Sequence, residues 1–372
     1  MKIYLFFLLV LLGAAQAKTI CLNMIVKNEA EIIEGCLSTV KDRIDYWVIV
    51  DTGSTDGTQE MIKRFMRDVP GELFERPWKN FSHNRNEALA IAKTKADYTM
   101  FIDADERWVF APDFKMPALD KDFYRIVVRE LGVVDSVRKC LVDNRLNWRY
   151  EGVLHEVITC PEARTFEELR GVMNINNTVK GARTKDPDKY KKDAAILEQG
   201  LIDEPNNSRY MFYLGQCYGN AGEYDLAIKA FKKRALMDSG EPEVFWALYC
   251  VGKLQESLNL DSETIIESYW GAHRAFPHRI EPLYRIATIH LKQNSPFLAY
   301  LITKEALTIP PTQDNAMVER WIYDWGMEFL FATSSYYVGS REECKLAVIR
   351  LLNNPTTPAD IREILQRNLK ML

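Results

Sequence analysis

The chain has 372 residues, a formal net charge of −4 and 47% hydrophobic residues. This length and apolar content suggest two or three domains with real cores and exclude a chain that is mainly disordered. The nearly balanced charge argues against an obligate nucleic-acid-binding protein, which carries a basic excess. Seven scattered cysteines form neither a disulfide framework nor a zinc cluster pattern. We therefore expect a globular protein of at least two domains with no nucleic-acid partner.

The N-terminus has the pattern of a secretory signal peptide. Lys2 supplies a basic start, residues 3–12 form an unbroken apolar run, and small residues precede the expected cleavage after Ala17. The apolar stretch is shorter than the roughly 20 residues that span a bilayer. The sequence therefore predicts residues 1–17 as a signal peptide. It places the protein in the secretory pathway or outside the cell, and in the lumen of the endoplasmic reticulum or Golgi if the organism is a eukaryote.

Short apolar runs alternate with helical patterns from Thr19 to about residue 180. In chain order the predicted elements are strand Ile20–Val26, helix Glu29–Val40, strand Tyr46–Val50, helix Thr58–Met66, helix Ser82–Lys93 and strand Tyr98–Ile102. Strands that alternate with helices indicate an α/β domain with a parallel sheet. Ligands of such sheets bind beyond the carboxyl ends of the strands.

The sequence after about Asp186 is helical to its end and contains internal repeats. One repeat has Leu214, Gly215, Tyr218, Ala227 and Phe231 at tetratricopeptide spacing, and the residues Leu283, Ile286, Ala287, Ala299, Ala306 and Pro311 fit the same frame. Such repeats form a solenoid that binds a partner or acts as a scaffold. Simple helical-bundle packing is the alternative. We predict a first domain over 18–180 and an all-α domain over 181–372.

Acidic residues follow three of the predicted strands. The first strand ends in Lys27-Asn28-Glu29, the second leads into Asp51–Thr58, and the last into Asp103-Ala104-Asp105-Glu106. One acidic residue at a strand end is often only a helix cap, but three clusters at one sheet edge favour a binding site. Asp103 and Asp105 point the same way from an extended segment. Two such carboxylates suit Mg²⁺ or Mn²⁺ that also holds a diphosphate.

Four motifs resemble, in order, those of a known enzyme family. They are Met24–Glu29 (MIVKNE), Val50–Thr58 (VDTGSTDGT), Phe81–Asn86 (FSHNRN) and Ile102–Glu106 (IDADE). Together they resemble the family 2 glycosyltransferases of the GT-A fold, in particular the branch with a tetratricopeptide tail. The resemblance implies a Rossmann-like, mostly parallel sheet followed by helical repeats. Two later segments are similar to the same branch: Trp148–Glu156, which contains Gly-x-x-His-Glu, and Gly181–Pro187, the junction before the tail.

The resemblance implies that several residues bind the donor nucleotide. Asn28, Glu29 and Asp51 would lie at the nucleotide, with Glu29 and Asp51 against a uridine-like base and its ribose. Arg85 would lie near the nucleotide or its diphosphate. Asp103 would lie nearer the ribose than its partner in the Asp-x-Asp pair.

The resemblance also implies a metal site and a base. Asp105 would ligate Mn²⁺ or Mg²⁺ directly, with Asp103 as the second member of the pair. His155 would be a third ligand, since a neutral imidazole accepts that role readily. Glu156 would be the general base that deprotonates the acceptor.

The implied activity is a metal-dependent, inverting transfer of a hexose or N-acetylhexosamine from a nucleotide-sugar, with a UDP-sugar as the expected donor. A protein, glycan or lipid acceptor is compatible with the sequence, and the repeats would hold a protein partner. Glu106 and Glu151 compete with Glu156 for the role of base. The alternative function is a non-catalytic tetratricopeptide scaffold with a degenerate transferase domain.

Overall fold

A computed structural model describes residues 17–130, 134–176, 186–237, 241–314 and 317–370. Residues 1–16 of the predicted signal peptide and residues 181–185 of the predicted junction lie outside the described residues. Along the described chain, no helix is both long and apolar enough to cross a membrane. The chain divides into two compact units, with the boundary between Asp186 and Pro187.

The first unit is built on an eight-stranded sheet. Its strands and those of a separate hairpin are, in chain order, β1 Ile20–Val26, β2 Tyr46–Asp51, β3 Gly71–Glu75, β4 Tyr98–Phe101, β5 Glu106–Phe110, β6 Phe123–Glu130, β7 Val134–Asp143, β8 Arg149–Glu151, β9 Val157–Thr159 and β10 Phe166–Asn176. The order across the sheet is β3-β2-β1-β4-β7-β6-β10-β5, and β8 pairs with β9. The predicted strands and the mostly parallel sheet are confirmed.

The direction of the strands changes beside β4. Strands β3, β2, β1 and β4 pair in parallel, whereas β7 is antiparallel to both β4 and β6. Strand β10 is parallel to β6 and antiparallel to β5. The carboxyl ends of β1, β2 and β4 therefore meet at one edge of the sheet, where the acidic clusters follow them. The core around these strands contains fully buried Leu22, Ile33, Leu37, Ile49 and Met100.

In the described part of this unit, three α-helices accompany the strands: α1 Ile33–Val40, α2 Thr58–Phe65 and α3 Phe81–Ala92. The prediction that α1 begins at Glu29 was wrong by four residues. The backbone N–H of Glu29 donates to Thr58 Oγ1 at 2.9 Å and that of Ala30 donates to Asp56 Oδ2 at 3.0 Å. These bonds hold the chain in a turn at the end of β1, so the helix starts only after Ile32.

The second unit is helical throughout its described residues. Its helices are α4 Lys189–Asp203, α5 Ser208–Asn220, α6 Tyr224–Ala235, α7 Glu241–Ser257, α8 Ser262–Ala275, α9 Glu281–Lys292, α10 Pro296–Ala306, α11 Met327–Tyr337, α12 Arg341–Asn353 and α13 Ala359–Leu369, with a π-helical turn at Ile322–Gly326 before α11. Each α-helix packs mainly on its neighbours in sequence. The predicted helical-repeat series is confirmed.

Small residues set the close approach of paired helices at the predicted repeat positions. A Cβ atom on Gly215 of α5 would lie 2.8 Å from the ring of Phe231 on α6. Ala227 on α6 is fully buried, as are Ala287 on α9 and Ala299 on α10. A larger side chain at these positions would push the helix pair apart, because protein interiors are already close-packed.

Candidate active site

The loops after β1 and β2 are fastened to each other by side chains. Asn28 Oδ1 accepts a hydrogen bond from the backbone N–H of Thr55 at 2.8 Å. The backbone N–H of Asn28 donates to Ser54 Oγ at 2.8 Å, with Asn28 at a φ of 56°. Asparagine tolerates this left-handed backbone better than most residues. The structure therefore gives Asn28 a role in shaping the two loops, and its predicted contact with a nucleotide stays a prediction.

Asp51 stands at the end of β2 as a buried carboxylate with one oxygen satisfied. Its Oδ1 accepts hydrogen bonds from the N–H groups of Gly53 and Ser54, both at 2.8 Å, and from Gln59 Nε2 at 3.1 Å. Its Oδ2 is buried and receives no hydrogen bond from the described residues. Buried polar atoms are rarely left in this state. Asp51 thus keeps one acceptor for a ligand, and Glu29, in the loop after β1, is half-buried.

Helix α3 brings the β8–β9 hairpin to the sheet edge. Asn86 Nδ2 donates to the backbone oxygen of Tyr150 at 2.9 Å, and the N–H of Tyr150 donates to Asn86 Oδ1 at 2.8 Å. Ser82 Oγ donates to the backbone oxygen of Gly152. Gly152 has a φ of 108°, which favours glycine. The motifs around Phe81–Asn86 and Trp148–Glu156 are therefore joined directly, although the sequence separates them by more than sixty residues.

Arg85 on α3 joins two predicted site residues. Its Nη2 lies 2.8 Å from Asp103 Oδ1, and its Nε lies 2.5 Å from Glu156 Oε1. The guanidinium carbon lies 5.5 Å from the ring centre of the half-buried Tyr150. Burial opposes the charge on Arg85, but Asp103 and Glu156 raise its pKa well above the usual value. Arg85 therefore stays cationic and holds both carboxylates in place.

A second arginine lies beside Asp103. Arg138 on β7 pairs with Glu106, and its Nη1 lies 4.0 Å from Asp103 Oδ2. Burial opposes ionisation of Asp103, yet Arg85 and Arg138 hold its pKa below the usual value. Glu106 is fully buried and also accepts a hydrogen bond from the backbone N–H of Asp103 at 2.9 Å. Glu106 is therefore occupied in fixing the Asp-x-Asp loop, which disfavours it as a base.

The predicted metal ligands fit a two-carboxylate site better than a three-ligand one. Asp103 and Asp105 are both partly exposed at the end of β4 and offer hard oxygen donors. His155 is exposed, with a φ of 51°. Among the described residues, no three His, Cys, Asp or Glu side chains are grouped so that they could hold a metal ion. Mg²⁺ is commonly bound by one or two carboxylates together with substrate phosphates, so these two residues suit it in type. Metal binding by Asp103, Asp105 and His155 stays a prediction.

A cavity of about 430 Å³ opens beside these residues. Arg85, Asp103 and Glu156 line it together with Tyr150 of β8 and Arg138 of β7. Glu151, the other predicted competitor for the base, is exposed and pairs with Arg149 at 2.5 Å. Glu156 is therefore the candidate base that faces the cavity, and Glu151 does not line it.

The sequence analysis did not predict some of the residues that line this cavity. Arg125 on β6 and Arg138 and Lys139 on β7 line it, but they stand in strands that carry no family motif. The cations on β6 and β7, two paired strands beside the Asp-x-Asp loop, are the feature of the sequence that could have indicated these residues. It becomes informative only when β6 and β7 are known to lie next to β4.

Comparisons with known proteins agree with these observations. The family described as Glycosyl transferase family 2 matches residues 21–174, which include Asn28, Asp51, Arg85, Asp103 and Glu156. A protein of Synechococcus elongatus, called a TPR repeat-containing protein, is 38% identical over 330 residues, covering 81% of this chain and 77% of the relative. The chain belongs to the family 2 glycosyltransferases with tetratricopeptide-like repeats.

Other similar proteins cover smaller parts of this glycosyltransferase. Glycosyltransferase SunS of Bacillus subtilis is 27% identical over 213 residues, and the match covers 54% of this chain and only half of that relative. Two solved structures are similar to about half of the chain. MamA is 17% identical, and the match covers 45% of this chain and 90% of that chain with a TM-score of 0.34. TTC0263 of Thermus thermophilus is 13% identical, and the match covers 50% of this chain and 92% of that chain with a TM-score of 0.34.

Proposed function

We propose that the protein is a metal-dependent, inverting glycosyltransferase that moves a hexose or N-acetylhexosamine from a UDP-sugar to an acceptor. One observation carries this proposal. Arg85 contacts Asp103 of the Asp-x-Asp pair at 2.8 Å and Glu156 at 2.5 Å, and all three residues line one cavity. A donor-binding carboxylate and a candidate base therefore face the same space, as a single displacement requires.

The nucleotide of the donor binds at the loops after β1 and β2. Asp51 Oδ2 is a buried acceptor without a hydrogen bond from the described residues, and it suits an N–H group of a base or a ribose hydroxyl. Glu29 lies in the loop after β1. The fastened loops keep both carboxylates in place before the donor arrives, which lowers the entropic cost of binding.

The diphosphate lies at the Asp-x-Asp loop, where Asp103 and Asp105 would hold Mg²⁺ or Mn²⁺. A divalent cation at these carboxylates would stabilise the charge that grows on the departing diphosphate. Arg85 and Arg138 add positive charge at the same place and keep Asp103 ionised. Guanidinium groups suit phosphate oxygens, because their planar fork makes paired hydrogen bonds.

Glu156 removes the proton of the acceptor hydroxyl or amine as that group attacks the anomeric carbon. Inversion of configuration needs one positioned base and one displacement. Arg85 orients Glu156 through a contact of 2.5 Å, and the side chain of Glu156 is only 10% exposed. Glu106 is bound to Arg138 and to the Asp103 backbone, so it supports the loop instead.

The helical unit serves as a surface for a protein partner or a protein acceptor, since stacked helical repeats present extended surfaces. A glycan or lipid acceptor fits the transferase unit equally well. We also propose that the protein is exported through its signal peptide, of which residues 1–16 lie outside the described residues.

The proposal is tested by incubating the purified protein with UDP-glucose, UDP-N-acetylglucosamine and GDP-mannose and measuring the free nucleotide released. With Mn²⁺ present we expect release of UDP. The rate of release should fall at least 100-fold when a chelator is added, and also in Asp105→Ala. Asp113→Ala is the matched control, because Asp113 is exposed and does not line the cavity. If no donor is cleaved and neither UDP nor Mn²⁺ binds, the non-catalytic scaffold function replaces this proposal.

A further inference from the structure

Two cationic side chains, Arg125 on β6 and Lys139 on β7, stand opposite each other on paired strands beside the candidate site. Strands β6 and β7 pair Tyr124 with Leu141 and then Arg125 with Lys139, so the register shifts by one residue. Cys140 is the extra residue of this β-bulge. Without the bulge, Arg125 would lie opposite Cys140. Bulges are frequent next to active sites, where they re-aim side chains.

Like charges directly opposite each other destabilise an antiparallel pair. Neither Arg125 nor Lys139 forms an ion pair with any carboxylate among the described residues. Lys139 Nζ donates to the backbone oxygen of Ile158 at 3.1 Å. The guanidinium carbon of Arg125 lies 4.1 Å from the ring centre of Phe166, and its Nε is buried without a hydrogen-bond partner in the described chain. The fold therefore keeps two cations together without a counter-ion.

The pair faces the cavity that contains the candidate active site. Arg125 and Lys139 line the same 430 Å³ space as Arg85, Asp103 and Glu156. Burial lowers the pKa of Lys139, and the charge of Arg125 lowers it further. A bound anion would relieve both the repulsion and the missing hydrogen bond of Arg125.

The position of the pair indicates which substrate brings that anion. In the sheet order, β1 and β2 lie on one side of β4, whereas β7 and β6 lie on the other. The nucleotide end of the proposed site is at β1 and β2, and the Asp-x-Asp pair follows β4. Lys139 is bound to Ile158, two residues beyond Glu156. The cations therefore lie on the side of the candidate base, where the acceptor approaches.

We propose that Arg125 and Lys139 form an anion-binding subsite that holds a carboxylate or phosphate group of the acceptor. This inference rests on the proposed glycosyltransferase function, and it narrows the acceptor to an acidic molecule. Arg125 offers the fork-shaped donor of its guanidinium, and Lys139 adds a point charge on the opposite strand.

The subsite is tested with inorganic phosphate as the probe, titrated calorimetrically into the purified protein in the presence of UDP and Mg²⁺. UDP fills the diphosphate position, so that phosphate reports on the second anion site. We expect phosphate affinity to fall at least 10-fold in Arg125→Gln and in Lys139→Met. Arg125→Lys, which keeps the charge, should retain most of the affinity and shows that the loss in the glutamine variant is not due to misfolding.

The chain offers matched controls for both substitutions. Arg43 stacks on Phe110 at 5.0 Å, as Arg125 stacks on Phe166. Lys41 donates to a backbone oxygen at 2.8 Å and lies over an aromatic ring, as Lys139 does. Neither lines the cavity. Arg43→Gln and Lys41→Met should bind phosphate within twofold of the unmodified protein. Equal affinity in the subsite variants and the unmodified protein overturns the proposal, and so does an equal loss in the controls.

A second arm separates an acidic acceptor from an acidic donor sugar. Hydrolysis of UDP-glucose and of UDP-glucuronate is compared in the unmodified protein and in Arg125→Gln. If the anion belongs to the acceptor, Arg125→Gln leaves the ratio of the two rates unchanged within twofold. A preference for UDP-glucuronate that Arg125→Gln removes assigns the anion to the transferred sugar and overturns the acceptor assignment.

Failure of this inference is distinguishable from failure of the proposed function. A separate titration of UDP into the same proteins, in the presence of Mg²⁺, reports on the proposed function alone. If UDP binds but Arg125→Gln does not change phosphate affinity, the subsite is wrong and the transferase proposal stands. If UDP does not bind, the titration with phosphate alone still tests whether Arg125 and Lys139 bind an anion.

Discussion

Glu156 Oε1 lies 2.5 Å from Arg85 Nε, although 71 residues separate the two in the sequence. The contact joins helix α3 to the turn before β9. Because Arg85 also binds Asp103 at 2.8 Å, a single guanidinium sets the relative position of the candidate base and the Asp-x-Asp loop. The proposed reaction depends on these two contacts of Arg85.

Arg85→Lys should lower donor hydrolysis by about 10- to 100-fold. Lysine keeps the charge, but a single ammonium group cannot reproduce the two-sided fork of a guanidinium. A displacement of about 1 Å in a positioned group can cost about 100-fold in rate. The rate of UDP release checks this, with circular dichroism to show that the variant is folded.

The matched control for this variant is Arg350→Lys. Arg350 contacts Glu328 through Nε and Nη2 at 3.0 and 2.6 Å, but on helix α12 of the other unit. The rate of UDP release by Arg350→Lys should stay within twofold of that of the unmodified protein. Unchanged hydrolysis in Arg85→Lys would show that the two contacts of Arg85 have no part in the reaction.

Glu156→Gln should separate the base from the donor site. The amide cannot accept a proton, so acceptor-dependent transfer should fall by about 10²- to 10⁴-fold. UDP affinity should change little, because Glu156 is not among the residues that hold the nucleotide. Glu151→Gln is the matched control and should retain full transfer, since Glu151 is exposed and paired with Arg149. Loss of transfer in Glu151→Gln with retention in Glu156→Gln would reverse the assignment.

Gly215→Ala should lower the free energy of unfolding by about 1 to 2 kcal/mol. The added methyl group would lie 2.8 Å from the ring of Phe231, which is only 2% exposed and cannot move aside cheaply. Overpacking costs about 1–3 kcal/mol, and the better helix propensity of alanine offsets part of it. Chemical denaturation followed by circular dichroism measures the change.

Gly271→Ala on α8 is the matched substitution, because among the described residues no atom outside its own stretch of helix lies within 4 Å of the position that its Cβ would take. It should stabilise the protein by up to about 1 kcal/mol through helix propensity. Equal effects of the two substitutions would contradict the close approach of α5 and α6.

Glu319→Gln should destabilise the protein at neutral pH but not at acid pH. Glu319 accepts a hydrogen bond from Tyr249 at 2.7 Å and pairs with Lys253 at 3.1 Å and Arg285 at 3.2 Å. Burial opposes its ionisation, but these partners lower its pKa. A lowered pKa means that the stabilisation is full above the unfolded value of about 4.3 and is lost as pH falls through the lower folded value.

The expected loss in Glu319→Gln is about 1 to 3 kcal/mol at pH 7, and it should shrink as the pH falls to about 3. Urea denaturation at several pH values measures it. Glu363→Gln, at an exposed position of α13, should change stability little at any pH. A difference between Glu319→Gln and the unmodified protein that grows on acidification would contradict the account.

Much of the fold could be predicted because its signals are local. The apolar run Ile20–Val26 and the repeat positions Gly215 and Ala227 carry enough pattern to place a strand and a helix pair. The start of α1 could not be predicted in the same way. Asp56 and Thr58, nearly thirty residues later, hold the turn at Glu29 and Ala30, and such a contact leaves no trace in the periodicity around Glu29.

The candidate site, like the fold, could be predicted from the sequence only in part. Asp103, Arg85 and Glu156 lie in motifs, and the structure brings them together. Arg138 was missed, because its pairing with Glu106 and its approach to Asp103 depend on the antiparallel placement of β7 beside β4. His155 has the residue type of a ligand, but it is exposed on a turn, and sequence spacing does not report on that exposure.

The most direct test of the central claim is UDP binding by isothermal titration calorimetry, with Mn²⁺ and without it, in the unmodified protein and in Asp51→Asn. The buried Oδ2 of Asp51 is the acceptor that a uridine would use. Asp97→Asn is the control, since Asp97 also fixes backbone, through Thr19 at 2.9 Å, but belongs to the opposite strand ends. We predict Mn²⁺-dependent binding that falls at least 10-fold in Asp51→Asn and stays within twofold in Asp97→Asn. UDP binding that depends on neither Mn²⁺ nor Asp51, or no UDP binding at all, would contradict the proposed donor site.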